Sequence, residues 1–237
     1  MKSTIHYANQ RGHANHGWLN SYHSFSFANY YNPERMHFGV LRVLNDDQVA
    51  AGRGFDTHPH NNMEIISIPL YGDLKHQDSE GNTEVIKQGD VQVMSAGTGI
   101  YHSEYNANSD KEVRFLQIWI FPKVKNVAPR YQQLHFKAED RKNTFQQILS
   151  PNAEDEGLWI HQDAWMFLSD LDAGHALNYE LKEHKRNGVY LFVLEGELQC
   201  NEQLLGKRDA IAIADIERLE LKSLQKSEIL LMEIPMQ

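Results

Sequence analysis

Two short segments of the chain each carry two potential metal ligands separated by a single residue. The first segment contains His58 and His60, and the second contains His102 and Glu104. Alternate side chains of a β-strand lie on one face, about 6.6 Å apart along the chain, so each pair can converge on one ion. Three imidazoles and one carboxylate suit iron, manganese, nickel, copper or zinc, whereas calcium and magnesium prefer oxygen ligands. The spacing therefore predicts a single transition-metal site.

The segments around these ligands have the pattern of β-strands. Short apolar or alternating stretches are separated by glycine, aspartate and asparagine, which favour turns. Strands are predicted at 38–44, 64–71, 91–94 and 114–121, and again at 158–160, 164–168, 177–181, 188–194, 210–214 and 228–232. The stretch between Pro122 and Gly157 lacks this alternation, and a short helix is predicted near residues 143–149. Long helices are not expected.

An internal repeat divides the chain into two similar halves. Residues 65–73 resemble residues 189–197, and residues 90–95 resemble residues 209–214. Repetition of this kind favours two β-domains of one architecture. We predict an N-terminal domain at 1–122, a connector at 123–157 and a C-terminal domain at 158–237.

The second half lacks the ligand set of the first. Lys182 and His184 stand at the positions of His58 and His60, and no His-x-Glu follows Asp209. We therefore expect one metal site per chain. The other histidines are expected to be exposed polar residues without a ligand role: His6, His13, His16, His23, His37, His76, His135, His161, His175 and His184.

Composition limits the classes of partner. The formal net charge of −9, from 23 basic and 32 acidic residues, disfavours direct binding to nucleic acid or anionic membranes. No apolar run has the length of a membrane span and no signal peptide is evident, so a cytoplasmic location is predicted. The one cysteine, Cys200, excludes an internal disulfide framework and is expected to be a small buried or half-buried residue.

Longer motifs around the ligands resemble the cupin superfamily, and within it the pirin family. The run Gly52-x5-His58-x-His60-x3-Glu64-x7-Gly72 is close to the first cupin motif, with one extra residue before its last glycine. The run from Gly89 through His102-x3-Asn106 is similar to the second motif, with two extra residues before the histidine. Further pirin-like runs lie at 23–27, 41–46, 96–104 and 117–122. The resemblance extends from Gly17 to Gln132.

This resemblance implies an all-β fold of two cupin-like β-barrel or jelly-roll domains, a bicupin with few short helices. It also implies a metal bound by His58, His60, His102 and Glu104. Iron(II) is the first choice, and manganese, nickel, copper or zinc are alternatives. Glu64 occupies the carboxylate-ligand position of other cupins and is the competing ligand. In the pirin pattern Glu64 is not a ligand, and we expect it to orient a ligand histidine.

The function implied by the resemblance is that of a quercetinase. Such an enzyme opens the ring of quercetin or a similar flavonol with O2 and releases carbon monoxide. Glu104 or Glu64 is the candidate base for the substrate hydroxyl. An apolar cavity mouth is needed, for which Phe55, Met63 and the aromatic residues of 25–31 are candidates, although core packing is the better explanation for any one of them.

Three other functions fit the same ligand set. A non-enzymatic metal or redox sensor of the pirin type would bind a protein partner instead of turning over a substrate. The site could also belong to an unrelated metal-dependent oxygenase or isomerase. Finally, four protein ligands could close a tetrahedral shell around a structural zinc ion.

Overall fold

The computed structural model describes residues 2–236 and is built almost entirely from β-strands. Its described helices are two short 3₁₀ segments, Ala8–Gln10 and Ala138–Arg141. Neither is long and apolar enough to cross a membrane.

The strands of the first half are β1 Lys2–His6, β2 Gly12–Asn15, β3 Leu19–His23, β4 Leu41–Val49, β5 Gly54–His60, β6 Glu64–Tyr71, β7 Leu74–Asp78, β8 Thr83–Ile86, β9 Asp90–Ser95, β10 Ile100–Asn106, β11 Val113–Ile120 and β12 Arg130–His135. Those of the second half are β13 Gln146–Ser150, β14 Leu158–Trp159, β15 Trp165–Leu171, β16 Ala176–Glu180, β17 Asn187–Glu195, β18 Glu197–Cys200, β19 Gln203–Gly206, β20 Ala210–Ala214, β21 Arg218–Ser223 and β22 Ser227–Pro235.

Each half forms a barrel from one large and one small sheet. In the first barrel the large sheet has the order β12-β9-β6-β11-β4-β3-β2, and the small sheet has the order β5-β10-β7-β8. In the second barrel the large sheet has the order β1-β20-β17-β22-β15-β13-β14, and the small sheet has the order β16-β21-β18-β19. The predicted all-β bicupin fold is confirmed.

The two large sheets pack against each other and bury a core shared by both barrels. Ile66 and Ile118 of the first barrel belong to the same apolar cluster as Phe192 and Leu230 of the second. Each large sheet is therefore covered on both faces, which explains why its central strands are nearly continuous apolar runs. In β6, the face that carries Ile66 points to this shared core and the opposite face points into the first barrel.

The interiors of the two barrels differ in chemistry. The second barrel is filled with apolar side chains, and Cys200 lies among them. Burial raises the pKa of the Cys200 thiol to about 12, so this residue is the buried small side chain that the sequence predicts. The first barrel divides its apolar residues between two clusters and also buries these polar side chains: Ser21, His23, Asn45, Asp47, Ser67, His76, Gln92, His102, Glu104 and Gln117.

Three segments differ from the sequence-based expectation. The helix predicted near 143–149 is wrong: β13 occupies Gln146–Ser150 and pairs with β15, because Ile148 and Leu149 are buried in the shared core. β1 pairs with β20, so the N-terminal strand joins the large sheet of the second barrel. β12 lies within the predicted connector and pairs with β9. The domain limits 1–122, 123–157 and 158–237 stay a prediction.

Candidate metal centre

The central strand of the metal-bearing sheet is β10, which has β5 on one side and β7 on the other. His102 is directly opposite His58 of β5, and a bulge follows, so Glu104 is opposite Phe55. On the other side Glu104 is directly opposite His76 of β7. Directly opposite residues have Cβ atoms about 5 Å apart, so one strand brings ligands together from both neighbours.

Three of the predicted ligands converge. One ring nitrogen from each of His58, His60 and His102 lies within 4.8 Å of the other two. The Nδ1–H of His58 donates to the carbonyl oxygen of Asp56 over 2.7 Å. Because a carbonyl only accepts, the proton is on Nδ1 and the Nε2 lone pair of His58 is left for an ion.

His102 provides the test of whether a metal fits this cluster. Its side chain is buried, and neither Nδ1 nor Nε2 has a hydrogen-bond partner. Burial, with smaller contributions from the neighbouring His58 and His60, lowers the pKa of His102 to about 2. Burial also lowers the pKa of His60 to about 4. Buried polar atoms are normally paired, so neutral imidazole nitrogens gathered without partners fit a transition-metal ion.

Glu104 is grouped with His102 and His76 rather than with His58 and His60. Its carboxylate, a nitrogen of His102 and a nitrogen of His76 lie within 4.8 Å of one another. One carboxylate oxygen accepts from the Ser67 hydroxyl over 2.9 Å, and the other accepts from the Gln117 amide over 2.6 Å. Burial raises the pKa of Glu104 to about 7. Each oxygen retains a second lone pair, so these two hydrogen bonds leave Glu104 able to bind an ion.

Glu64 lies on the opposite face of β6 from Ser67, because the two residues are separated by an odd number of positions. Its carboxylate accepts from the Ser95 hydroxyl over 2.6 Å and from the backbone N–H of His161. Burial raises the pKa of Glu64, and the nearby Arg130 guanidinium opposes that shift. The side chain therefore points towards the second barrel. Its role as competing ligand or base stays a prediction.

A cavity of about 260 Å³ opens beside the histidine cluster. His58 and Glu104 lie in its wall together with the aromatic side chains of Phe27, Phe55 and Trp119. Phe27 and Phe55 are thus the two residues, among the apolar candidates from the sequence, that line the cavity. Met63 instead packs against the cluster around Ile65 and Met94, and Phe25 lies within the core shared by both barrels. Tyr31 is exposed.

The cavity wall includes Ser21 and Asp47, which were not singled out from the sequence. The Ser21 hydroxyl donates to the carboxylate of Asp47, and His23 Nε2 lies 2.8 Å from the same hydroxyl. Asp47 is buried, and this burial raises its pKa to about 7. The run Asn45-Asp46-Asp47 within an apolar strand is the signal that could have indicated a polar barrel interior.

The prediction that the remaining histidines are exposed is wrong for three of them, and two more, His161 and His175, are half-buried. His6, His23 and His76 are buried. His76 Nε2 lies 2.9 Å from a carboxylate oxygen of Asp78. In β7 the buried Leu74 and His76 share one face, and that alternation could have placed His76 inside the barrel. His184 is exposed, and no ligand cluster involves the second barrel within residues 2–236.

Comparison with known proteins identifies the family. The family model described as Pirin matches residues 4–120, and the model described as quercetinase C-terminal cupin domain matches residues 147–234. The chain is 45% identical to quercetin 2,3-dioxygenase of Escherichia coli over 232 residues, which cover 96% of each chain. The chain belongs to the pirin family. Its predicted pirin resemblance is confirmed.

Solved pirin structures agree with this fold. The crystal structure of YhhW from Escherichia coli superposes with a TM-score of 0.94 at 42% identity, covering 99% of this chain and 98% of the other. The crystal structure of the bacterial pirin YhhW in complex with nickel(II) superposes with a TM-score of 0.93 at 41% identity, covering 99% of both chains. The chain is accordingly a quercetin 2,3-dioxygenase-like pirin whose first barrel carries a His/Glu metal-binding cluster.

Proposed function

We propose that this pirin is a metal-dependent dioxygenase that opens the ring of quercetin or a similar flavonol with O2 and releases carbon monoxide. The observation that carries the proposal is the cluster of His58, His60 and His102 beside an aromatic-lined cavity in the first barrel. The relative that shares 45% of its residues and is named quercetin 2,3-dioxygenase supports the choice of substrate.

His58, His60 and His102 are the proposed metal ligands, and Glu104 is the proposed fourth ligand. Iron(II) is the proposed ion, with manganese, nickel, copper and zinc as alternatives. When bound, such an ion supplies a Lewis acid that stabilises the ionised hydroxyl of a flavonol. The His58 hydrogen bond to the Asp56 carbonyl holds the ring in the tautomer that the ion needs.

The cavity walls suit a flat aromatic substrate. Phe27 and Phe55 provide apolar surface, and Trp119 lies edge-to-face with both Phe27 and His60, at ring distances of 5.4 Å and 4.9 Å. Aromatic rings placed in this way bind an aromatic ligand through offset or edge-to-face contacts and exclude water. We propose that these residues orient the flavonol with its hydroxyl towards the histidine cluster.

Two buried carboxyl groups face the cavity and are candidates to accept the proton of the flavonol hydroxyl. In the metal-free protein, burial raises the pKa of Glu104 and that of Asp47 to about 7. A base whose pKa lies near the working pH is present in its unprotonated form and still takes up a proton readily. Ser67 and Gln117 hold Glu104 in place, and Ser21 holds Asp47. Glu64 faces away from the cavity, and the variant Glu64→Gln tests its predicted role as base.

No contact in residues 2–236 favours the alternative of a regulatory metal or redox sensor over the enzyme. A protein partner and a cytoplasmic location therefore stay predictions from the sequence. The absence of direct nucleic-acid binding is also a prediction from the sequence, based on the net charge of −9.

The test is turnover of quercetin by protein loaded anaerobically with iron(II), manganese, nickel, copper or zinc and then mixed with air. Loss of flavonol absorbance is expected with at least one ion. His58→Gln should remove both metal and activity, and Glu64→Gln should leave most of both. His135→Gln is the control, because His135 is exposed and lies outside the cluster. Absence of turnover with every ion would refute the proposal.

A further inference from the structure

A second cavity, of about 260 Å³, lies between the two barrels, and none of the candidate metal ligands lines it. We call it the interbarrel cavity. Asp46 and Asp47 of β4 lie in its wall, but the carboxyl group of Asp47 points into the first barrel, where Ser21 donates to it. The basic side chains of the wall come from both barrels and from the N-terminal segment: Arg11, Arg114, Lys207 and Arg208.

The charge of this wall is opposite in sign to the net charge of −9 of the whole chain. The carboxylates paired with its four basic side chains are those of Asp46, Glu112 and Glu195. Four cations therefore share three anions. The pair of Lys207 with Glu195 and the pair of Arg114 with Glu112 are both partly exposed. Exposed ion pairs contribute little free energy, so these two cations are free to bind another anion.

The excess positive charge is concentrated at Arg11 and Arg208, because the two guanidinium groups share one carboxylate oxygen. Arg11 Nη1 and Arg208 Nε each lie 3.3 Å from Asp46 Oδ2. The side chains of Arg11 and Arg208 are only 5% and 16% exposed. Arg208 Nη1 is buried and has no hydrogen-bond partner within residues 2–236. Buried charged groups are normally paired and fully hydrogen-bonded, so this pair of arginines lacks an anion.

The backbone at Arg208 has a conformation that favours glycine. Arg208 has a φ of +65°, and the internal repeat aligns it with Gly89 of the first barrel, which has a φ of +93°. A residue with a side chain is strained in this region, whereas glycine is not. The turn itself therefore does not explain an arginine at this position, which indicates a role for the guanidinium group.

We propose that the interbarrel cavity is an anion site that binds a phosphate group between Arg11 and Arg208, with Lys207 and Arg114 as further cationic contacts. The planar guanidinium group donates two parallel hydrogen bonds to phosphate oxygens, and such charge-assisted bonds are stronger than neutral ones. The phosphate group belongs either to the inorganic ion or to a small phosphate monoester. The inference concerns binding between the barrels and does not depend on the proposed dioxygenase reaction.

Calorimetric titration of the nickel(II)-loaded protein with inorganic phosphate, at constant ionic strength, tests the proposal. The wild-type protein should bind one equivalent in a saturable manner. Arg208→Gln should weaken binding by about tenfold or more, because charge-assisted hydrogen bonds are lost. Asp46→Asn should tighten binding, because it removes the anion that competes for both guanidinium groups. Arg218→Gln is the control and should bind as the wild type does, because Arg218 is exposed, pairs with Glu220 and lies outside the cavity.

Two further variants separate this site from the metal centre and from effects on folding. His102→Gln should lose the metal and retain the phosphate affinity, which excludes phosphate bound to the metal. Lys207→Gln should weaken binding by roughly two- to fivefold, the range of an exposed charge pair. Its side chain is 58% exposed, so this variant keeps the test decisive should Arg208→Gln fail to fold. Urea midpoints show whether each variant folds.

The same titration with ribose 5-phosphate distinguishes the two sources of the phosphate group. Tighter binding than that of the inorganic ion assigns the site to a phosphate monoester, and weaker binding assigns it to inorganic phosphate. The proposal would be overturned if the wild type showed no saturable binding of either compound at millimolar concentration. Loss of binding in His102→Gln, wild-type affinity in a folded Arg208→Gln, or no tightening in Asp46→Asn would overturn it equally. Failure of flavonol turnover would leave all of these expectations unchanged.

Discussion

Asp46 and Asp47 are neighbours in β4, and replacing each by asparagine is expected to change stability in opposite directions. The Asp46 carboxylate lies 3.3 Å from Arg11 Nη1 and 3.3 Å from Arg208 Nε. Asp47 points to the other face, into the first barrel, where Ser21 donates to it and no cation pairs with it in residues 2–236. Burial without a counter-charge opposes ionisation, whereas an ion pair favours it.

The magnitude for Asp47 follows from its pKa, which burial raises from 3.8 to about 7. Below the ordinary pKa both the folded and the unfolded chain carry the proton. As the pH rises the unfolded chain ionises first, so stability falls until the folded carboxyl also ionises near pH 7. The contribution of Asp47 to the free energy of unfolding should therefore fall by up to about 4 kcal/mol across this window, and by about 3 kcal/mol between about pH 5 and pH 8.

Asp47→Asn removes this dependence and retains an oxygen for the Ser21 hydroxyl. Its free energy of unfolding relative to the wild type should increase by about 3 kcal/mol between about pH 5 and pH 8. Asp46→Asn should instead destabilise the protein by about 3 kcal/mol, because it leaves Arg11 and Arg208 without their anion. Urea unfolding of metal-free protein at several pH values measures both. A difference between Asp47→Asn and the wild type that does not change with pH would refute this reasoning.

Three further perturbations give distinct readouts. His102→Gln should lower metal content to background in elemental analysis, and full retention of metal would contradict the ligand assignment. Tyr179→Phe removes a 2.6 Å hydrogen bond to the buried Glu233 carboxylate and should cost about 1.5–3 kcal/mol in urea unfolding, whereas an unchanged midpoint would show that this bond contributes nothing. Gly97→Ala should cost about 1–3 kcal/mol in urea unfolding, because Gly97 has a φ of +48° and an added Cβ would collide with the Val127 carbonyl; wild-type stability would contradict this.

The metal-ligand residues could be predicted from the sequence because the two members of each pair lie close together in the chain. His58 and His60, like His102 and Glu104, share a strand face through their spacing of two, and this parity needs no knowledge of the fold. The same rule separates Glu64 from Ser67, so the orientation of Glu64 away from the barrel interior was also readable once β6 was recognised. The bulge between His102 and Glu104 could not be predicted in this way, because it depends on the register of β5 against β10.

Long-range pairing accounts for what the sequence did not reveal. β1 pairs with β20 across almost the whole chain, and no local pattern in Lys2–His6 indicates that partner. The burial of His76 against His102 requires β7 and β10 to be adjacent in the correct register. The segment 146–150 is a strand because the shared core covers Ile148 and Leu149, which is tertiary context overriding a weak local preference.

The most direct test of the proposed reaction is the amount of carbon monoxide released per molecule of quercetin consumed by the iron(II)-loaded wild type in air. If the ring is opened at the metal held by the histidine cluster, one molecule of carbon monoxide is released for each quercetin consumed. The metal-free protein and His102→Gln should release none above background. Quercetin oxidation without carbon monoxide, or equal release from His102→Gln, would contradict the proposal that His58, His60 and His102 hold the metal at which the flavonol ring is opened.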